Sequence, residues 1–332
     1  MKKRFIFYLA GIAIFAYFIY SQKINIDQLL DLKNPEFFLL AIVLFLSGFF
    51  LLALRMKILS KTLEEKSPGF SKFLQLEFFN RFISYAFPSR LNIPAKAIAL
   101  NKAMGMGKGN ALSLASFEYA MDTGTQILLA FSALYFFSRG LPYVSFERML
   151  AFTVPVLVVL IAFFKIPVSF FEKTVQKSGK IKNAFIKSAS LILFKSLKKI
   201  RETWMQILLS RKMFPVLVLV AAYWVVQTLV MESFFLSYGT YVPMGYILVI
   251  VAISIFVGGL SQIPGGLGVR EFAMILMFEF LGVPSGIALV VVIARRLVIL
   301  LPIALGFIVS LSWGYRFLGS PKKGKITSGR QK

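Results

Sequence analysis

Seven stretches of this chain, residues 5–20, 37–54, 123–137, 149–164, 213–231, 244–260 and 297–311, contain no charged side chain. A helix needs roughly 20 mostly apolar residues to cross the hydrocarbon core of a bilayer. Several of the runs reach that length by taking in a charged residue at one end. With 58% hydrophobic residues, against roughly 45–50% in soluble domains, the chain carries more apolar surface than a soluble core can cover. The expected fold class is therefore an all-α polytopic membrane protein with about eight membrane helices and no sizeable soluble domain.

The net charge of +24 would point to nucleic acid in a soluble protein, but here its distribution points elsewhere. Most of the 38 basic residues fall in four segments, 2–4, 55–108, 165–212 and 316–332, whereas 21–36, 138–148 and 237–243 are poor in them. Basic loops stay on the cytoplasmic side, so both termini and the 165–212 linker are expected there, in a cell membrane. Lys2-Lys3-Arg4 and the apolar run after it resemble a signal peptide, but bulky Phe18, Ile19 and Tyr20 occupy the place of a cleavage site. An uncleaved first helix is expected. The chain has no cysteine and no histidine, which excludes disulfides, thiol nucleophiles, haem and iron–sulfur ligation, and every histidine-based triad or proton relay. No cofactor or metal is expected, and no nucleic acid partner.

An internal repeat runs through the chain. Gly105, Gly109 and Ala111-Leu112 recur as Gly282, Gly286 and Ala288-Leu289, 177 positions later. Phe87-Pro88-Ser89 falls on Ile263-Pro264-Gly265, and the apolar run 37–54 on 213–230, both at 176; Glu118 aligns with Arg295. Each unit, about 37–137 and 213–314, is expected to hold four parts. These are a spanning helix (37–54; 213–236), a helix descending to a proline break (72–87; 244–262), a short return helix (94–104; 269–281) and a long helix (111–137; 286–312). The opening helix of the first unit runs into basic Arg55, Lys57 and Lys61, whereas that of the second follows the basic linker. The units thus face opposite ways, as an inverted-topology repeat. Residues 5–20 and 149–164 are extra spans. Pro88, Pro264, Gly265, Gly266 and Gly268 mark the breaks of two hairpins that are either re-entrant or fully crossing. Irregular backbone at membrane depth must be covered by protein or line a wet cavity. The linker contains an amphipathic helix with Phe185, Leu191, Phe194 and Trp204 among lysines, fitted to anionic lipid or to solvent. Residues 1–319 form one domain, and the Pro, Gly and Lys rich tail 320–332 is expected to be disordered.

Charged residues at membrane depth are candidates for function because burying a charge in lipid is costly unless it is paired or wet. Arg90, Arg270, Glu271, Glu118, Asp122 and Arg295 cluster at the breaks and in the long helices. Arginine presents a planar fork suited to phosphate oxygens, so Arg90, Arg270 and Arg295 are expected to attract an anionic head group. Glu118, Asp122 and Glu271 would hold those arginines or exchange protons. Backbone N–H groups at the start of the helix after Gly268 would add positive potential. The alternative for Glu118, Asp122 and Arg295 is a buried network that fixes packing. Arg296 is expected to snorkel to the interface, and Glu232 and Glu279 to sit near helix ends. The Gly107-Lys108 stretch lacks the P-loop pattern, and Gly266-Leu267-Gly268 lacks the third glycine of a dinucleotide fingerprint.

Pro264-Gly265-Gly266-Leu267-Gly268-Val269-Arg270-Glu271, followed by Gly282-Val283-Pro284, Ala288 and Arg295, resembles the second-half signature of the lysylphosphatidylglycerol synthase transmembrane-region family, a flippase-like domain. Asn80, Pro88-Ser89-Arg90, Lys96, Gly105, Glu118 and Asp122 resemble its first-half pattern, and the likeness spans roughly residues 5–315. Leu91-Asn92, Lys96 and Tyr119 depart from that pattern. The resemblance implies translocation of an anionic phospholipid or lipid-linked intermediate between leaflets. It does not imply the synthase, whose soluble domain would need a long extension after Trp313. Two alternatives are a membrane-embedded lipid transferase with Glu118, Asp122 or Glu271 as general base, and a non-transporting partner of a biosynthetic complex. Anionic membrane lipids are the expected partners, with a second copy of the chain or a biosynthetic enzyme as further candidates.

Overall fold

A computed structural model of the protein describes residues 29–64, 67–87, 91–138 and 184–318. The expected spans 5–20 and 149–164, the tail 320–332, Pro88 and Arg90 lie outside the described residues. Within them the protein is a helical, multi-pass membrane protein of nine α-helices. Before the linker come α1 (Pro35–Ser60), α2 (Phe70–Ala86), α3 (Asn92–Lys102) and α4 (Lys108–Ser138). The linker supplies α5 (Ala184–Leu208), and α6 (Met213–Ser237), α7 (Met244–Leu260), α8 (Val269–Phe280) and α9 (Ser285–Leu318) follow it. A 3-10 turn, Pro264–Gly266, interrupts the chain between α7 and α8.

Among the described residues three helices, α1, α6 and the Ser285–Gly314 part of α9, are long and apolar enough to cross a membrane. The return helices α3 and α8 have 11 and 12 residues, about 17–18 Å of rise, well short of a bilayer core of about 30 Å. Pro35 opens α1, where its missing N–H costs nothing. The break before α8 requires glycine. Gly265 adopts φ +62°, and a methyl group there would come within 2.6 Å of the Tyr85 ring.

Helices α1 and α6 lie antiparallel along their length. Asn34, ahead of α1, donates its backbone N–H to Ser237 O (3.1 Å) and its side-chain amide to Leu236 O (2.9 Å). At the other end Lys212 Nζ donates to Lys61 O (2.7 Å). The second helix of each set packs on the fourth of the other, α2 on α9 and α7 on α4. Gly306 permits the first of these contacts, since any Cβ there would overlap the Phe78 carbonyl.

Two apolar cores result. One, around Phe234, Phe235, Ile250, Met274 and Phe278, joins α1 to α6–α9; the other, around Met56, Leu59, Phe73, Leu100 and Leu114, joins α1 to α2–α5. Leu39, Val43, Leu217, Val225, Leu300 and Phe307 face outward and are exposed. Buried arginines and carboxylates with exposed leucine and phenylalanine invert the soluble pattern, as lipid requires. The C-terminal part of α5 docks on α4. There the Trp204 indole donates to Ser113 O (3.1 Å) and meets Phe117 edge-on, so this stretch of the amphipathic helix is packed on protein rather than free for solvent.

Candidate functional site

Between the two cores lies a cavity of about 270 Å³, near the lower end of ligand pockets, which run roughly 300–1,000 Å³. Both sets of helices line it. Arg55, Glu77, Lys96, Glu118 and Asp122 come from α1–α4, and Gln227, Gly258, Arg270 and Arg295 from α6–α9. Its two ends differ electrically.

At one end the carboxylates are saturated. Arg55 donates to Glu118 Oε1 (2.6 Å) and, through both terminal nitrogens, to Asp122 (2.6 and 3.0 Å). Lys96 Nζ bridges Glu77 (2.9 Å) and Glu118 Oε2 (2.5 Å). One ionic network therefore pins α1, α2, α3 and α4 together. Asp122 alone keeps a partly open side chain, 40% exposed, against 5% or less for the other four. Glu118 and Asp122 share a face of α4 at i and i+4, which is why one guanidinium reaches both.

At the other end arginines predominate. Arg295, 3% exposed, donates to Gln227 Oε1 (3.2 Å) and has only the Met274 sulfur beside its other terminal nitrogen (3.8 Å); its Nε has no acceptor. Arg270 is 8% exposed, and neither it nor Arg295 has a carboxylate within ion-pair distance among the described residues. Arg81 stands over the Phe49 ring, 5.3 Å from its centroid.

Beside this end Arg296 forms a tie. Its guanidinium binds Glu271, donates to Tyr85 Oη (2.6 Å) and Gly265 O (3.1 Å), and covers the Tyr85 ring. The expectation that Arg296 snorkels outward is therefore wrong, because Glu271 and Tyr85 together satisfy its charge inside the fold. Glu271 is correspondingly spent on Arg296 and on the Gly268 N–H (2.8 Å) rather than on Arg270 or Arg295, and it does not line the cavity. The Gly268 N–H is thus taken by a capping carboxylate and is not free for an anion.

Of the expected site residues, Arg270, Arg295, Glu118 and Asp122 come together around one cavity, while Glu118 and Arg295 do not pair with each other. Arg55 was misplaced by charge counting. It reads as the start of a basic loop but is 1% exposed, within the last two turns of α1. Glu77, Tyr85 and Gln227 gave no signal of their own. The helical spacing of Glu77 on α2 and the Lys96 resemblance could have suggested the first.

A sequence profile described as the lysylphosphatidylglycerol synthase TM region matches residues 8–306. The chain is also 26% identical over 316 residues to a UPF0104 membrane protein of Methanocaldococcus jannaschii, covering 92% of each chain.

Proposed function

The chain belongs to the lysylphosphatidylglycerol synthase TM-region family, and on that footing we propose that it carries an anionic lipid head group between leaflets through the cavity between α1–α4 and α6–α9. The observation that supports this reading is the pair Arg270 and Arg295, both buried, both lining the cavity and neither matched by a carboxylate among the described residues. An arginine in that setting is costly unless a bound anion neutralises it or water solvates it. A phosphate head group supplies the charge, and its acyl chains stay in the lipid around the exposed leucines and phenylalanines.

The alternating access needed for transport fits an inverted repeat of units 37–137 and 213–314. Its support is the reciprocal packing of α2 on α9 and of α7 on α4, with α1 and α6 packed on each other as an antiparallel pair. In this reading the 55–72 and 165–212 connections are cytoplasmic, as are both termini. Contact between Lys212 and Lys61 is in keeping with one common side. Arg90, by its place at the first break, would serve the head group as Arg270 does at the second. Glu118 and Asp122 act through Arg55 and shape the far wall.

The test is reconstitution. Proteoliposomes holding a fluorescently labelled anionic lipid should lose leaflet asymmetry, read by membrane-impermeant quenching, and Arg270→Ala or Arg295→Ala should return the rate to background. Covalent alteration of the lipid, or unchanged movement in both variants, would overturn the reading.

A further inference from the structure

The charges lining the cavity do not balance. The network around Arg55 holds two cations and three carboxylates, an excess of one negative charge. Half-buried Arg81 and buried Arg270 and Arg295 line the same cavity, and none of the three is within ion-pair distance of a carboxylate among the described residues. Two positive charges are left over. Bulk ions cannot cheaply neutralise guanidinium groups that are 8% and 3% exposed inside a bilayer.

Donors are in surplus as well. Arg295 Nε has no acceptor, its Nη1 meets only a thioether, and the Arg270 side chain makes no ion pair to the described residues. A guanidinium offers five N–H groups in a fixed fork. A phosphodiester brings one negative charge and two terminal oxygens. A phosphomonoester brings close to two charges and three such oxygens.

Resting on the anionic-lipid reading above, we infer that the group received between Arg270 and Arg295 is a phosphomonoester or diphosphate carrying two negative charges, rather than a singly charged phosphodiester. Two charges neutralise the cavity as a whole; one leaves it cationic.

Binding to the purified full chain measured by native mass spectrometry at pH 8, with dioleoyl phosphatidic acid and dioleoyl phosphatidylglycerol as probes, tests this. Phosphatidic acid is expected to bind at least about tenfold more tightly, and Arg295→Gln to abolish that preference. If the variant does not fold, the comparison of the two lipids on the unaltered chain still decides. Equal affinity overturns the doubly charged assignment and leaves the anionic-lipid reading standing. Retention of neither lipid above phosphatidylcholine overturns both. Glycerol 3-phosphate binding as tightly as phosphatidic acid supports the doubly charged group and assigns it to a soluble phosphate instead of a lipid.

Discussion

Arg55 and Glu118 form an ion pair of 2.6 Å in which neither side chain is more than 4% exposed. They come from helices that share a core but touch little directly, so the pair and its neighbours tie α1 to α4 face to face. Removing one partner of such a pair leaves a buried uncompensated charge, at a cost of about 3–5 kcal/mol. Arg55→Ala should therefore lower the melting temperature in detergent markedly, and further than the surface change Lys61→Ala does.

Arg295 should behave in the opposite sense. It has no carboxylate among the described residues, so Arg295→Gln should leave the melting temperature unchanged or raised while head-group binding is lost. Comparing thermal unfolding with lipid movement separates the two classes of buried arginine. An equal loss of stability in Arg55→Ala and Arg295→Gln would count against distinct roles for the two ends of the cavity.

Arg296→Lys keeps the charge but not the fork that reaches Glu271, Tyr85 and Gly265 together. Loss of the hydrogen bonds to Tyr85 and Gly265 from a charged group should cost about 1.5–3 kcal/mol each. Urea-induced unfolding of the purified variant would register the change, and Tyr85→Phe should reproduce only part of it.

Gly306→Ala should loosen the seat of α9 on α2, because the added methyl overlaps the Phe78 carbonyl. Overpacking of this kind costs about 1–3 kcal/mol. Substitution by alanine at Gly286, where nothing lies near the added carbon, is the matched control.

The chain lacks cysteine, so single cysteines report sidedness without background. Lys61→Cys and Lys212→Cys should react with an impermeant maleimide only from the cytoplasmic face, and Tyr241→Cys only from the other. Labelling of positions 61 and 212 from opposite faces would dismantle the transport proposal.

Much of the helix plan was legible in the chain. The expected helices 37–54, 72–87, 94–104, 111–137, 213–236, 244–262, 269–281 and 286–312 all appear, with ends displaced by up to six residues. The reason is physical: in lipid, backbone groups must be satisfied within each segment, so apolar length and the Pro-Gly breaks set the elements before any packing occurs. The glycines at 265 and 268, both at positive φ, were fixed by the same local demand.

Only the tertiary structure decided which charges meet. Arg55 sits three positions from nothing more than Leu52 and Ile58 in sequence, yet its partners Glu118 and Asp122 lie 63 and 67 residues away. Glu271 lies next to Arg270 in the chain but pairs with Arg296, 25 residues on. Composition and local spacing specify how many charges enter the bilayer. A charge inside it is neutralised by whatever opposite charge the packing of α1 and α3 on α4, of α2 on α3 and of α8 on α9 brings within reach, and that depends on distances no linear pattern contains. The arginines left unmatched by that packing are likewise a property of the assembled helices alone.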